Sequence, residues 1–452
     1  MELLWMLFTL LIVLGPVTFI GLLAAIHIWF CYSERAKSYE NLPTYGRTNP
    51  VLLGWQHYQQ ISRTGKDGPL AAYFFNISSA FASMFQYEGL FFMWIGFRPY
   101  VFIYKAEHVK AVLTSRLADD KSHDYEYLRH IAGNGLATSS AKENAQRRKL
   151  LQPAFHSRVL ENFIPSFNEH SSVLVNKLKT TINKPWIDIT PMMTACTLDI
   201  LCDALMGIRI DSQEGNKEAF EFTEAVEEII DLVMHRIVRP WFISDIIFFS
   251  SSAGERFRKA RKSVEYFVGK AIQDKRKSLK LDLNYNEFNQ QSKRTNKSFL
   301  EVLLEQHAKD STFTLEDIQD EVTTFMFAGH DTSAIVVTWV LYLLGLHPDI
   351  QNNVYEEQCL IFGKNKTAEV TNEDMKKMVY LENVIKETLR LYPPGPIFGR
   401  KNKESIKTGE FCFRFLNLLF PTTINNMTIQ SSGYILYAML MQNEFQTQEE
   451  LV

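Results

Sequence analysis

One long apolar stretch with a polar break in its middle constrains this chain more than anything else in it: Phe325-Met326-Phe327-Ala328-Gly329-His330-Asp331-Thr332-Ser333. Thr314, followed three residues later by Asp317, reads as a capping box, so a helix starts near Leu315. Apolar residues recur at helical spacing through Ile318, Val322, Phe325 and Met326, then through Ile335, Val336, Trp339 and Leu343. Gly345 and Pro348 end it. That is about 30 residues, or roughly 45 Å of helix. A helix so long and so apolar belongs in a core. The Gly329-His330-Asp331-Thr332 step breaks local rules there: glycine costs about 1 kcal/mol relative to alanine, and Asp and Thr compete for backbone hydrogen bonds. Such breaks inside a core helix point to a functional site. Gly329 admits a large flat group to the backbone, Thr332 opens the hydrogen-bond ladder, and Asp331 with Thr332 makes a hydroxyl–carboxylate pair able to pass protons. A kink with a satisfied polar pair is the plainer reading of the same residues.

The remaining chain offers ample core, with 452 residues that are 46% hydrophobic. A net charge of −3 gives no footprint for nucleic acid. The five cysteines, Cys31, Cys196, Cys202, Cys359 and Cys412, are scattered without any C-x-x-C, which excludes a disulfide scaffold or zinc ribbon and fits a reducing compartment. Leu3 to Tyr32 is uncharged and long enough to span a bilayer when tilted or kinked at Gly15-Pro16. Arg35 and Lys37 follow it, so the positive-inside rule places the body in the cytosol and leaves the Asn76, Asn296, Asn365 and Asn426 sequons unglycosylated.

In chain order, residues 1–32 read as a membrane anchor and 33–55 as a proline-punctuated linker. Phe91 to Tyr104 reads as two strands turning at Gly96-Phe97-Arg98-Pro99, with a helix from Glu107 to Leu113. The nearby aromatics Phe74, Phe75, Phe91, Phe92, Trp94 and Phe97 read mostly as core. Helices are predicted near 142–151, 159–182, 191–206, 215–236, 252–279, 348–362 and 372–391, with a polar surface loop from Lys280 to Lys297. The expected architecture is mostly α with a minor sheet near the N-terminus, an α+β pattern.

Ala328-Gly329-His330-Asp331-Thr332 on one helix, then Glu387-Thr388-Leu389-Arg390 on another about 55 residues on, resembles the cytochrome P-450 haem-thiolate monooxygenases. Arg148-Lys149-Leu150-Leu151-Gln152-Pro153-Ala154-Phe155-His156 and Tyr380-Leu381-Glu382-Asn383-Val384-Ile385-Lys386 look like the fatty-acid ω-hydroxylase branch, family 4. The resemblance implies the P-450 fold over 56–410, with Gly329 and Thr332 in an oxygen pocket and Asp331 relaying protons. Arg148 and Arg400 fall where family members hold haem propionates. Ala328 stands where several family-4 members carry a glutamate esterified to haem, so no such link forms here. Asn144 stands where the family usually has tryptophan. Glu387 and Arg390 make a structural ion pair. His330, at the motif's variable position, and His156 are assigned no ligand role.

The implied cofactor is haem. The implied partners are an NADPH-cytochrome reductase, a lipid or other apolar small-molecule substrate and the endoplasmic reticulum membrane, with no nucleic acid.

The family's Phe-x-x-Gly-x-Arg-x-Cys-x-Gly loop, which supplies the iron ligand, and its meander arginine are missing. From Phe411 to Val452 the text does not match, and Cys412 comes only about 20 residues after Arg390, framed by phenylalanines. No metal ligand is therefore assigned. Two further readings stand beside the oxygenase: a catalytically inactive, haem-free truncated isoform or gene-model artefact, and a helical lipid-binding protein.

Overall fold

The computed structural model describes residues 70–95, 98–155, 157–237, 239–279, 297–363, 365, 368–402, 404–413 and 417–421, with 42–44 and isolated positions 15, 18, 21, 22 and 25. Most of the expected linker and of the expected anchor, the Lys280–Lys297 loop before its last residue, and His156 lie outside them. The described residues divide into two compact units. One takes them from Met1–His123, Met234–Phe248 and Gly399–Pro421, and the other from Asp124–Val233 and Phe249–Phe398.

The first unit is built on a sheet. Helix α1 (Leu70–Met84) precedes the antiparallel pair β1 (Leu90–Ile95) and β2 (Arg98–Ile103), whose register sets Leu90 opposite Ile103 and Phe92 opposite Val101. Phe91 and Phe102 stack at 4.6 Å between ring centres, and Phe81 of α1 lies 5.5 Å from Phe91. Leu90 to Met93 and Tyr100 to Ile103 are all buried, so both faces of this hairpin are core. Helix α2 (Ala106–Leu113) and the short β3 (Asp120–Lys121) follow.

The other strands come from far down the chain: β4 (Ile397–Lys401), β5 (Ile406–Thr408), β6 (Phe411–Phe413) and β7 (Asn417–Pro421). The sheet order is β1-β2-β7-β4-β3, and β7 runs parallel to β2 with Tyr100 opposite Asn417. The expectation of a sheet confined to the N-terminal region is thus corrected, because two of its five strands lie past residue 396. A long-range parallel pairing leaves no local sequence signature. Buried His108 ties α2 to β5, its Nδ1 lying 2.8 Å from the Thr408 hydroxyl.

The second unit is helical: α3 (Tyr125–Ala132), α4 (Ala141–Leu151), α5 (Ile164–Lys179), α6 (Thr190–Ile200), α7 (Lys217–Ile237), α8 (Ser252–Ser278), α9 (Phe299–Lys309), α10 (Leu315–Leu346), α11 (Pro348–Phe362) and α12 (Val379–Leu391). Helices α3, α9 and α1 are not among those predicted. The predicted 159–182 helix breaks ahead of Pro165, which sits in the first turn of α5. The predicted 191–206 helix runs as α only to Ile200 and continues to Met206 as a π turn, closed by Gly207 at φ 64°. The 372–391 helix likewise splits into Asn372–Met375 and α12.

Helix α10 begins with the expected capping box, Thr314 and Asp317 each satisfying the other's backbone N–H. Ile318, Val322, Ala334, Val336, Val337 and Val340 along it are fully buried. Phe325 packs between Phe155 and Phe299, at 5.0 and 4.7 Å. It is the core helix of its unit, although its length and apolarity alone would also suffice to cross a membrane.

Candidate functional site

One side of α10 is not buried. Ala328, a full turn before Thr332, is exposed, and Thr332, Ile335 and Trp339 on the same stripe are half-covered, with Tyr342 exposed beyond them. These residues are spaced three and four apart, so they share one face. Trp339 is backed by Tyr392, stacked at 4.2 Å. The polar step of the motif therefore sits where a core helix faces outward.

Its geometry is specific. The helix runs unbroken from Leu315 to Leu346, and the Thr332 hydroxyl donates to the Ala328 carbonyl at 2.6 Å instead of breaking the ladder. The predicted opening of that ladder is corrected by this back-bond, which satisfies the hydroxyl inside the helix. Gly329 is not open either: a Cβ there would lie 2.7 Å from Cδ1 of Leu201 in the π turn. The absent side chain lets the Leu201 end of α6 approach α10.

On the same contact the Thr197 hydroxyl donates to the His330 carbonyl at 2.9 Å. His330 is buried, its Nδ1 donating to the Met326 carbonyl at 2.6 Å and its ring lying 5.5 Å from that of Phe222. Burial pushes the His330 imidazole down and the Asp331 carboxyl up, the latter against the attraction of His330. Asp331 thus keeps a proton more readily than an ordinary carboxyl. Burial also raises Glu227 on α7, and the charge of Asp331 adds to that rise.

Neither Leu201 nor Thr197 was singled out by the sequence, since each is an ordinary residue of an apolar helix. Arg148, on α4, is exposed and forms no ion pair among the described residues. Arg147, beside it, is the engaged one: its guanidinium reaches Asp317 at 2.6 Å and Glu321 at 2.8 Å. Asn144 donates to the Leu136 carbonyl at 2.7 Å. Arg400 belongs to the first unit, donating to the Asp119 carbonyl at 3.1 Å from a strand position opposite Lys121.

Glu387 and Arg390 form a two-pronged pair at 2.7 and 2.8 Å on α12, yet both side chains are more than half exposed. Each holds the other in its charged form. Beside them Leu343, Leu344, Ile350, Val384 and Leu391 line a cavity of about 360 Å³.

The thiols are poorly placed for ligation. Cys196 and Cys202 are buried and burial drives both well above the usual thiol range. Cys359 lies on α11, and Cys412 is exposed on β6, opposite Lys407. Among the described residues no three His, Cys, Asp or Glu side chains cluster as a metal site.

The cytochrome P450 family model matches residues 70–414. The mouse protein named cytochrome P450 4V2 is 34% identical over 384 residues, covering 84% of this chain and 71% of that protein. Cytochrome P450 4c3 of Drosophila melanogaster is 36% identical over 327 residues, covering 70% and 61%, and cytochrome P450 4c21 of Blattella germanica is 34% identical over 330, covering 72% and 65%. The chain belongs to the cytochrome P450 family. Within it, these likenesses place the chain in family 4.

The family's cofactor is haem. The uncovered small-residue face at Ala328 and Thr332 and the free-standing Arg148 guanidinium fit a large planar group carrying carboxylates. The described residues do not supply the thiolate that would hold its iron.

Proposed function

We propose that the chain is a haem-dependent monooxygenase that hydroxylates a fatty acid, or a similar apolar molecule, at a terminal carbon. In this reading an NADPH-cytochrome reductase supplies the electrons, and residues 3–32 anchor the protein in the endoplasmic reticulum membrane with its body in the cytosol. Haem, when bound, supplies the activation of dioxygen.

The observation that carries the reading is the Asp331–Thr332 pair on α10: a carboxyl that burial inclines to hold a proton, next to a hydroxyl on the half-covered stripe. Asp331 takes a proton from solvent and Thr332 hands it on, while the apolar stripe around them excludes water. Arg148 would hold a carboxylate of the cofactor, and Ala328 would leave room for its edge without a covalent link.

A second reading is a haem-free remnant tethered to the membrane, in which none of the four cysteines just placed ligates iron. Loading the full chain with haemin, reducing it and adding carbon monoxide separates the two. A Soret band at the thiolate position supports the oxygenase, and a histidine-type band or none supports the remnant.

A further inference from the structure

Helix α4 is unusual in how it is held. Its sequence, Ala141-Lys142-Glu143-Asn144-Ala145-Gln146-Arg147-Arg148-Lys149-Leu150-Leu151, has no apolar stripe, and Leu151 is its one buried residue. Apolar packing, which normally fixes the rotation of a helix about its axis, is therefore nearly absent. Polar contacts take its place. Arg147 reaches across to α10, where its two nitrogens meet Asp317 and Glu321 separately. The Glu321 side chain is 0% exposed and that of Arg147 14%.

Glu321 and its neighbour Asp320 hold the turn leading into α4: Glu321 accepts the Leu136 N–H at 3.1 Å and Asp320 the Asn134 N–H at 2.7 Å. Asn144 closes the ring by donating to Leu136. The turn is pressed against α10 so closely that a Cβ on Gly135 would fall 2.2 Å from the Thr324 hydroxyl. Consecutive helical residues point about 100° apart, so clamping Arg147 fixes the direction of Arg148.

We propose that Arg147 is a positioning residue: its two ion pairs to α10 set the rotation of α4 and thereby aim the exposed Arg148 guanidinium at a carboxylate of bound haem. This rests on the functional reading above. A fixed guanidinium loses less freedom on binding than a loose one, so the clamp appears as affinity for the carboxylate alone.

The probes are haemin and haemin dimethyl ester, in which both carboxylates are blocked, titrated into the full-length chain in detergent with the absorbance change read at the Soret band. The wild-type chain should bind haemin about tenfold more tightly than the ester, the size of one charge-assisted hydrogen bond. Arg148→Gln should erase that preference. Arg147→Gln should erase it too, with ester affinity unchanged, and the double variant should lose nothing more.

Arg147→Lys, which keeps the charge but cannot span two carboxylates, should not restore the preference. Where Arg147→Gln fails to fold for want of a partner to Glu321, the neutral pair Arg147→Gln with Glu321→Gln takes its place, with the same expected loss. Retention of the wild-type preference in the Arg147 variants, or equal weakening toward both probes, overturns the inference while leaving Arg148 in place. A wild-type chain that binds neither probe, or both alike, sinks both the inference and the cofactor assignment it rests on.

Discussion

At Gly329 the question is how much space a single hydrogen guards. A methyl group there would meet Leu201 at 2.7 Å. Overpacking costs about 1–3 kcal/mol, against about 1 kcal/mol gained from the better helix former. Gly329→Ala should therefore lower the urea midpoint, and adding Leu201→Ala should recover part of the loss. Thr332→Ala in haem-loaded protein with reductase should cut product formation about 100-fold while oxygen consumption continues, as expected when a positioned proton donor is lost. Equal loss of both would assign Thr332 to packing.

Asp331 carries a stability prediction as well. Its folded carboxyl is raised by burial, so it binds its proton more tightly folded than unfolded. That contribution is present in full below the ordinary carboxyl pKa of about 4 and is lost as the pH rises through the folded value. At pH 7 burial of this carboxyl opposes folding. Asp331→Asn should then raise the thermal midpoint at pH 7, with the gain fading as the pH falls toward about 4. A gain independent of pH would contradict this account.

Among the elements, α10 was the most legible in the sequence and the contacts around it the least. Its cap, length and end follow from Thr314, Asp317, Gly345 and Pro348, because capping and helix termination are local chemistry. The clamp on α4 is not local. Arg147 and Arg148 are adjacent and chemically identical in the text, and only the packing of α4 on α10 decides which one is bound and which stands free.

Glu387 and Arg390 show the converse. Their spacing is plain in the sequence, and the structure leaves them on the surface. Two substitutions separate the cases. Glu321→Ala leaves the Leu136 N–H without its acceptor and the half-buried Arg147 with Asp317 alone, and should cost about 1–3 kcal/mol in urea unfolding at unchanged m. Glu387→Ala, which removes a solvated partner, should leave the midpoint where it was. A large shift from Glu387→Ala would mean that the pair is covered in solution.

Across the whole molecule, the two units are assembled from the chain very differently. The helical one takes its described residues from 124–233 and 249–398, whereas the sheet unit draws on three separated stretches. Helical periodicity made the first legible. The second hangs on β2 pairing with β7, Tyr100 with Asn417, which no window of neighbouring residues encodes. Phe91 and Phe102 announce a core, but not the strand that will lie beside them.

That parallel pairing also has a consequence for the ribosome. The edge of β2 that accepts β7 stays bare while some three hundred residues are made, offering Tyr100 to Phe102 as a template for any extended peptide nearby. Helices dominated by near-neighbour contacts can settle during that interval, but the sheet must wait for residue 417 to emerge. Nascent chains arrested with Glu410 just outside the exit tunnel should be cut by protease in the 90–103 hairpin, and those with Pro421 outside should resist. Until then the half-made protein depends on whatever shields an open strand, so its yield in a cell is set by chaperone supply and elongation rate as much as by the stability of the finished fold.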